Sequence, residues 1–124
     1  DLLFGTCFIH ASIMIRRPYF KLVDGYRVSS ETLRAEDYDL FMRLYAKGAI
    51  GYNMNEALYM IREDEDAYKR RSYKFRIGEA KVRYRGFKNL GLLPKGYLYV
   101  IKPLIVGVIP QKMLKMLRDE KKLL

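Results

Sequence analysis

The chain has 124 residues, half of them apolar, with 24 Lys and Arg against 14 Asp and Glu for a formal charge of +10. That length and apolar share suit one folded domain and exclude a disordered tail. One cysteine, Cys7, excludes an internal disulfide framework, and one cysteine with one histidine cannot build a Cys/His zinc site.

The charge is unevenly distributed. Residues 1–65 carry eight basic and ten acidic side chains, a net of −2, whereas residues 66–124 carry sixteen and four, a net of +12. A basic half of this size favours an anionic partner, whether a phosphorylated ligand, nucleic acid or an acidic membrane. The sequence opens at Asp1 with no basic region leading into an apolar stretch, so no signal peptide is expected, and the start without Met reads as a fragment of a longer protein. The acidic run Glu63-Asp64-Glu65-Asp66 at the charge boundary is the candidate linker.

In chain order, residues 8–15 form a short apolar run broken by His10 and Ser12 and closed by Arg16-Arg17-Pro18, the pattern of a buried or half-buried strand. Asp24-Gly25-Tyr26 has turn chemistry and Ser29-Ser30-Glu31 continues a polar loop. Residues 36–47 then carry Leu40, Phe41, Leu44 and Tyr45 at helical spacing and stop at Gly48. Residues 50–52 and 57–61 read as strands around the turn Asn53-Met54-Asn55. A longer helix is expected over residues 67–90, on the stripe Tyr73, Ile77, Ala80, Tyr84 and Phe87, with Gly78 and Gly86 each costing about 1 kcal/mol against Ala.

Beyond Leu92, Pro94, Pro103 and Pro110 predict two short helical pieces with kinks, because an interior proline removes a donor and clashes with the preceding turn. Lys95 and Lys102 cut this apolar stretch into uncharged runs of six and nine residues, where a membrane span needs roughly 20. In residues 111–122, Met113, Leu114, Met116 and Leu117 fall opposite Lys112, Lys115, Arg118 and Asp119, giving an amphipathic basic piece. Residues 95–122 are expected to lie on an anionic membrane surface without crossing it; the alternative is that the same apolar face packs against Tyr73, Ile77 and Tyr84 of the long helix.

The densest constellation of chemical groups is Glu36-Asp37-Tyr38-Asp39 at the start of the first helix. Acids in a first turn oppose the positive end of the macrodipole, which is one sufficient reason for them. Asp37 stands out because it precedes Phe41 by four residues and Leu44 by seven, and so shares the inward face, where a carboxylate can act as a general base on a bound hydroxyl. Asp39 is expected to point elsewhere. The Asp-x-Asp of 37 and 39 is a poor metal site, since i and i+2 do not face each other on a helix.

His10-Ala11-Ser12-Ile13-Met14-Ile15-Arg16, Asp24-Gly25-Tyr26-Arg27, Glu36-Asp37-Tyr38-Asp39-Leu40-Phe41-Met42-Arg43-Leu44 and Asn55-Glu56-Ala57-Leu58, followed by Arg62, together resemble the second half of a family 2 inverting glycosyltransferase. The resemblance covers residues 10–62, and the Glu-Asp-x-x-Leu-x-x-Arg block is its specific part. It implies an α/β fold: a partial GT-A, Rossmann-like second half with short strands, followed by a helix-rich C-terminal region. Residues 1–65 would be the acceptor-side catalytic portion and residues 66–124 a basic helical extension.

The resemblance implies Asp37 as general base supported by Glu36, with His10, Arg43 and Arg62 as substrate-binding candidates. For His10 the residue-level alternative is a buried histidine with a satisfied hydrogen bond, and for Arg43 a structural ion pair. The turn departs from the family pattern, with Asp24 in place of the first Gly and no acid after Arg27. Glu63-Asp64 likewise replaces the family's ending in histidine. No metal ligand is expected within the chain; a divalent cation, Mg or Mn, would be held by the donor half outside it.

The implied partners are a nucleotide-sugar donor and a saccharide or lipid-linked acceptor, in surface polysaccharide synthesis. The setting would be the cytoplasm, peripheral at the inner face of an anionic membrane. A nucleic-acid-binding module is the alternative, because Tyr68-Lys69-Arg70-Arg71-Ser72-Tyr73-Lys74-Phe75-Arg76 interleaves aromatics with cations, although no recognisable RNA or DNA motif accompanies it.

Overall fold

In a computed structural model of the chain, residues 2–62, 72–110, 113, 114 and 116 are described. Among them are a 3-10 turn, His10–Ser12, and four α-helices: α1 Arg17–Leu22, α2 Glu36–Ala46, α3 Tyr73–Asn89 and α4 Leu93–Val108. The acidic linker candidate, the first residues of the expected long helix and the basic run 68–71 lie outside the described residues. Of the amphipathic C-terminal piece only Met113, Leu114 and Met116 are described, all three in helical conformation.

Helix α2 is the hub of the molecule. Tyr38 and Met42 pack with Ala35 against Val82 and Phe87 of α3, while Leu40, Phe41 and Leu44 pack with Val23 against Phe8, Ile13, Ile15 and Phe20. Apolar side chains spaced over both flanks of one helix explain why a short segment can hold two clusters. Leu40, Met42, Val82 and Phe87 are fully buried, each contributing about 1.5–3 kcal/mol relative to exposure. The core therefore runs across the change of charge near residue 65.

The expected long helix forms from Tyr73, but its buried side is Gly78, Ala80, Val82, Arg83, Gly86 and Phe87, while Tyr73, Ile77 and Tyr84 remain 46, 41 and 44% exposed. The two glycines account for the rotation. A Cβ on Gly78 would sit 2.6 Å from the Glu31 carbonyl oxygen, and one on Gly86 would meet the Met42 thioether. Absent side chains let the loop before α2, and α2 itself, approach the α3 backbone.

Replacing Gly78 by Ala would by helix propensity alone stabilise the chain by about 1 kcal/mol. Here the collision is with backbone, which cannot rotate away, so we expect a net loss of about 1–3 kcal/mol in denaturant unfolding. A more stable Gly78→Ala variant would mean that the loop does not rest on α3.

Of the prolines of the last third, only Pro110 falls between helical segments, the end of α4 and residues 113, 114 and 116. Pro94 lies in the first turn of α4, where a missing N–H costs nothing, and Pro110 follows its end. Pro103 lies inside α4 and is buried, so packing of α4 along α3 overrides the local penalty and the helix runs on to Val108, with the second helical piece following Pro110.

No strand occurs among the described residues. Residues 8–15 contain the 3-10 turn between extended flanks, Ile9 at φ −80°, ψ 112° and Ile13 at φ −78°, ψ 146°. Residues 49–62 carry neither helix nor strand, and Ile50, Tyr52 and Met60 are 95, 83 and 94% exposed. A strand requires a ladder partner, and neither segment has one among the described residues.

Candidate functional site

Asp37 is half-buried in the first turn of α2 and lines a cleft of 490 Å³ whose other walls are Gly5 and Thr6, Arg34, Ala35 and Tyr38, and Ser72, Phe75, Arg76, Glu79 and Arg83 of the α3 side. One Asp37 carboxylate oxygen, Oδ1, accepts the Tyr38 backbone N–H at 2.7 Å. That bond uses one of the unsatisfied donors of the helix N-terminus and fixes the carboxylate at the positive end of the macrodipole. Glu36, one residue earlier, is also half-buried.

The cleft floor is held by a charge cluster. Glu79 accepts from Arg76 at 3.1 Å and from Arg83 at 3.1 and 3.2 Å, and Arg83 also donates to the Leu3 carbonyl at 3.3 Å. Arg83 lies over the Tyr38 ring, 4.9 Å from its centroid, and the Tyr38 hydroxyl donates to the Leu2 carbonyl. Burial pushes the Tyr38 phenol up to about 12, against the partial pull of the Arg83 charge, so it stays neutral and a donor.

Arg34 forms the cleft rim, with its guanidinium 5.8 Å from the Phe75 ring centroid. Its backbone lies in the left-handed region at φ +67°, a conformation costing a non-glycine residue about 1–2 kcal/mol. Two anchors hold that strain. Thr32, buried, donates to the Arg27 carbonyl at 2.7 Å and accepts the Ser29 N–H at 3.1 Å. Glu31 binds Lys81 at 3.1 Å and also Arg85, and those hydrogen bonds, Arg85's first, hold its carboxyl below the usual range.

Tyr26 and His10 do not line the cleft and pair with each other. His10 Nε2 is 2.6 Å from the Tyr26 hydroxyl, with the rings edge to face. Burial raises the Tyr26 phenol above its ordinary value, and the charges of Asp37 and then Glu36 raise it further. His10 thus has the hydrogen-bond partner of the residue-level reading, but it sits on a 3-10 turn and is half-buried, not buried on a strand.

Arg43 takes a different place from the one the resemblance implied. Its Nε donates to Asp39 at 2.7 Å, one terminal nitrogen to the Val23 carbonyl and the other to the Gly25 carbonyl at 2.7 Å. These bonds make it a brace that fixes the turn carrying Tyr26, in agreement with the ion-pair alternative. Asp39 does not point away: it is 5% exposed and is also 3.4 Å from Arg27. The one-sided wheel failed because α2 is covered on both flanks. Arg62 is exposed at the end of the segment 49–62 and does not line the cleft.

Sequence reasoning passed over Arg34, Tyr26 and Glu79 as site residues. Tyr26 had a signal in the Asp-Gly-Tyr turn; Arg34 and Glu79 had none, because the cleft depends on how α3 returns to α2. Among the described residues no group of three or more His, Cys, Asp or Glu could hold a metal ion. The cleft lining brings two carboxylates, Asp37 and Glu79, together with Arg34, Arg76 and Arg83.

The chain is similar to a Bacillus subtilis (strain 168) protein named "Putative glycosyltransferase EpsE", with 43% identity over 106 residues. The match takes in 86% of this chain and 38% of that protein, so the chain spans about two fifths of its relative's length. The likeness supports kinship with glycosyltransferases. No protein-family model matches the chain, and no solved structure does.

Proposed function

We propose that the chain is the acceptor-side part of a family 2 glycosyltransferase of GT-A type. The complete protein would move a sugar from a nucleotide-diphosphate donor to the hydroxyl of a saccharide or lipid-linked acceptor, with inversion, in surface polysaccharide synthesis. The observation that carries the reading is Asp37, half-buried on a cleft with Arg34 at its rim and one oxygen held by the Tyr38 N–H. The name of the B. subtilis relative supports the same class.

In this reading the second Asp37 oxygen takes the acceptor proton as the acceptor oxygen attacks the anomeric carbon. The bond from that carbon to the diphosphate breaks, and the diphosphate leaves with the electron pair. Arg34 offers a cation to the anionic substrate at the rim, and Arg43, through the Gly25 carbonyl, braces the turn that carries Tyr26. A divalent cation is left to residues beyond this chain.

The exposed extended segments support an α/β architecture for the longer protein, with residues 8–15 and 49–62 joining a sheet whose other strands lie outside this chain. That arrangement would cover Ile50, Tyr52 and Met60, now almost bare.

An Arg34→Gly variant of the full-length protein tests the site. Glycine accepts φ +67° without strain but loosens the unfolded chain, so the melting temperature should stay nearly constant. Loss of a charged hydrogen bond worth about 1.5–3 kcal/mol should lower kcat/KM for nucleoside-diphosphate release by roughly 10-fold or more. Unchanged kcat/KM would remove Arg34, and the cleft it borders, from the reaction.

A further inference from the structure

Helix α4 buries Gly96 and Pro103 against the rest of the chain and turns its opposite side outward. Leu98, Ile101, Ile105 and Val108 follow one another at steps of three, four and three residues, which places them in one line along the helix. They are 78, 46, 59 and 73% exposed, a bare aliphatic stripe. Lys95 and Lys102, two turns apart and both exposed, edge the stripe on one side.

On the other side the stripe continues into an apolar groove of 440 Å³ between α3 and α4, walled by Tyr73, Ile77, Tyr84, Val100 and Leu104. Beyond it, Lys74 and Lys88 stand exposed along α3, while Lys81 between them lines the groove and is paired, with Arg85, to Glu31. The face is therefore aliphatic at its centre and basic at both margins.

The charge surrounding the face narrows what can cover it. Residues 80–118 contain nine Lys and Arg and no Asp or Glu. A second copy meeting this face about a two-fold axis would set lysines against lysines. The groove is open and its apolar lining continues onto a convex helix, which suits a deformable apolar layer bearing surface anions. Aliphatic residues between flanking lysines, with tyrosines at the edge, match the depth profile of an interfacial helix. At 1.5 Å per residue the 16-residue α4 is about 24 Å long, and no described helix is long and apolar enough to cross a membrane, so the geometry is one of lying along the surface.

We propose that the outer face of α4, with the adjoining edge of α3, is a docking surface for an anionic phospholipid bilayer. The aliphatic stripe enters the boundary between headgroups and acyl chains, and the lysines of both margins meet lipid phosphates. This goes beyond the proposed transfer reaction and stands or falls independently of it. Within the membrane-facing stretch expected from the sequence, residues 95–122, it assigns the contact to α4 and adds the adjoining edge of α3.

The test is co-sedimentation of the full-length protein with phosphatidylcholine vesicles and with vesicles containing about one third phosphatidylglycerol. Binding is expected to the second and not to the first, and to weaken as salt rises. Leu98→Ser with Ile105→Ser should lower partitioning more than tenfold with unchanged circular dichroism, since both side chains are solvent-exposed. Lys95→Glu with Lys102→Glu should do the same through charge alone. Three results would overturn the proposal: no sedimentation with either vesicle, equal sedimentation with both, or anionic binding that neither pair of substitutions reduces. A dimer in analytical ultracentrifugation that Leu98→Ser with Ile105→Ser dissolves would also overturn it, by assigning the face to a second copy.

Discussion

Asp37→Asn in the full-length protein is expected to lower kcat by roughly 10²-fold or more, the usual contribution of a positioned general base. The substitution keeps the size of the side chain, and the amide oxygen can still accept the Tyr38 N–H that Asp37 now accepts at 2.7 Å. Folding and donor KM should therefore hold, and the loss should fall on the chemical step. The measurement is steady-state release of nucleoside diphosphate in the presence of acceptor, beside a melting curve. Turnover within a fewfold of the parent, with an unchanged melting curve, would end the assignment of Asp37 as base.

Asp39, two residues on, should give the opposite signature. Its carboxylate is buried, holds Arg43 at 2.7 Å and faces Arg27 at 3.4 Å. Asp39→Ala leaves Arg43 half-buried with only the Val23 and Gly25 carbonyls as partners. Breaking one side of a buried pair costs about 3–5 kcal/mol, a large share of the 5–15 kcal/mol that holds a domain together. Urea unfolding should show a large fall in midpoint with little change in slope. Any loss of turnover should follow the folded fraction. A stability loss under about 1 kcal/mol would mean that the pair is solvated like a surface bridge and does not brace the Tyr26 turn.

These neighbours show where the sequence was legible and where it was not. Helix α2 could be read at nearly its observed bounds, because Leu40, Phe41 and Leu44 repeat at helical spacing and Gly48 stops them. The half-buried setting of Asp37 followed from the same spacing. Asp39 was misread because periodicity assumes one inward face, whereas α2 has neighbours on two flanks.

On α3 the expected stripe is buried at Ala80 and Phe87 but not at Tyr73, Ile77 and Tyr84. Glycines on the adjacent face allow a closer approach than Tyr73, Ile77 and Tyr84 would, and close approach is a property of two elements together. Pro103 was read as a break from local sterics, which long contact with α3 overrides. The strands expected over residues 8–15, 50–52 and 57–61 depend on ladder partners that no reading of these segments alone can supply. Arg34 acquires its place at the cleft only through the anchors at Thr32 and Glu31.

The most direct test of the central proposal is the configuration of the new glycosidic bond. Full-length protein, supplied with an α-linked nucleotide-diphosphate sugar and an acceptor, is followed by proton NMR of the anomeric signals before the product can equilibrate. A single carboxylate base that activates the acceptor for direct attack inverts the carbon, so a β-linked first product is expected. An α-linked first product would contradict inverting transfer with Asp37 as the base.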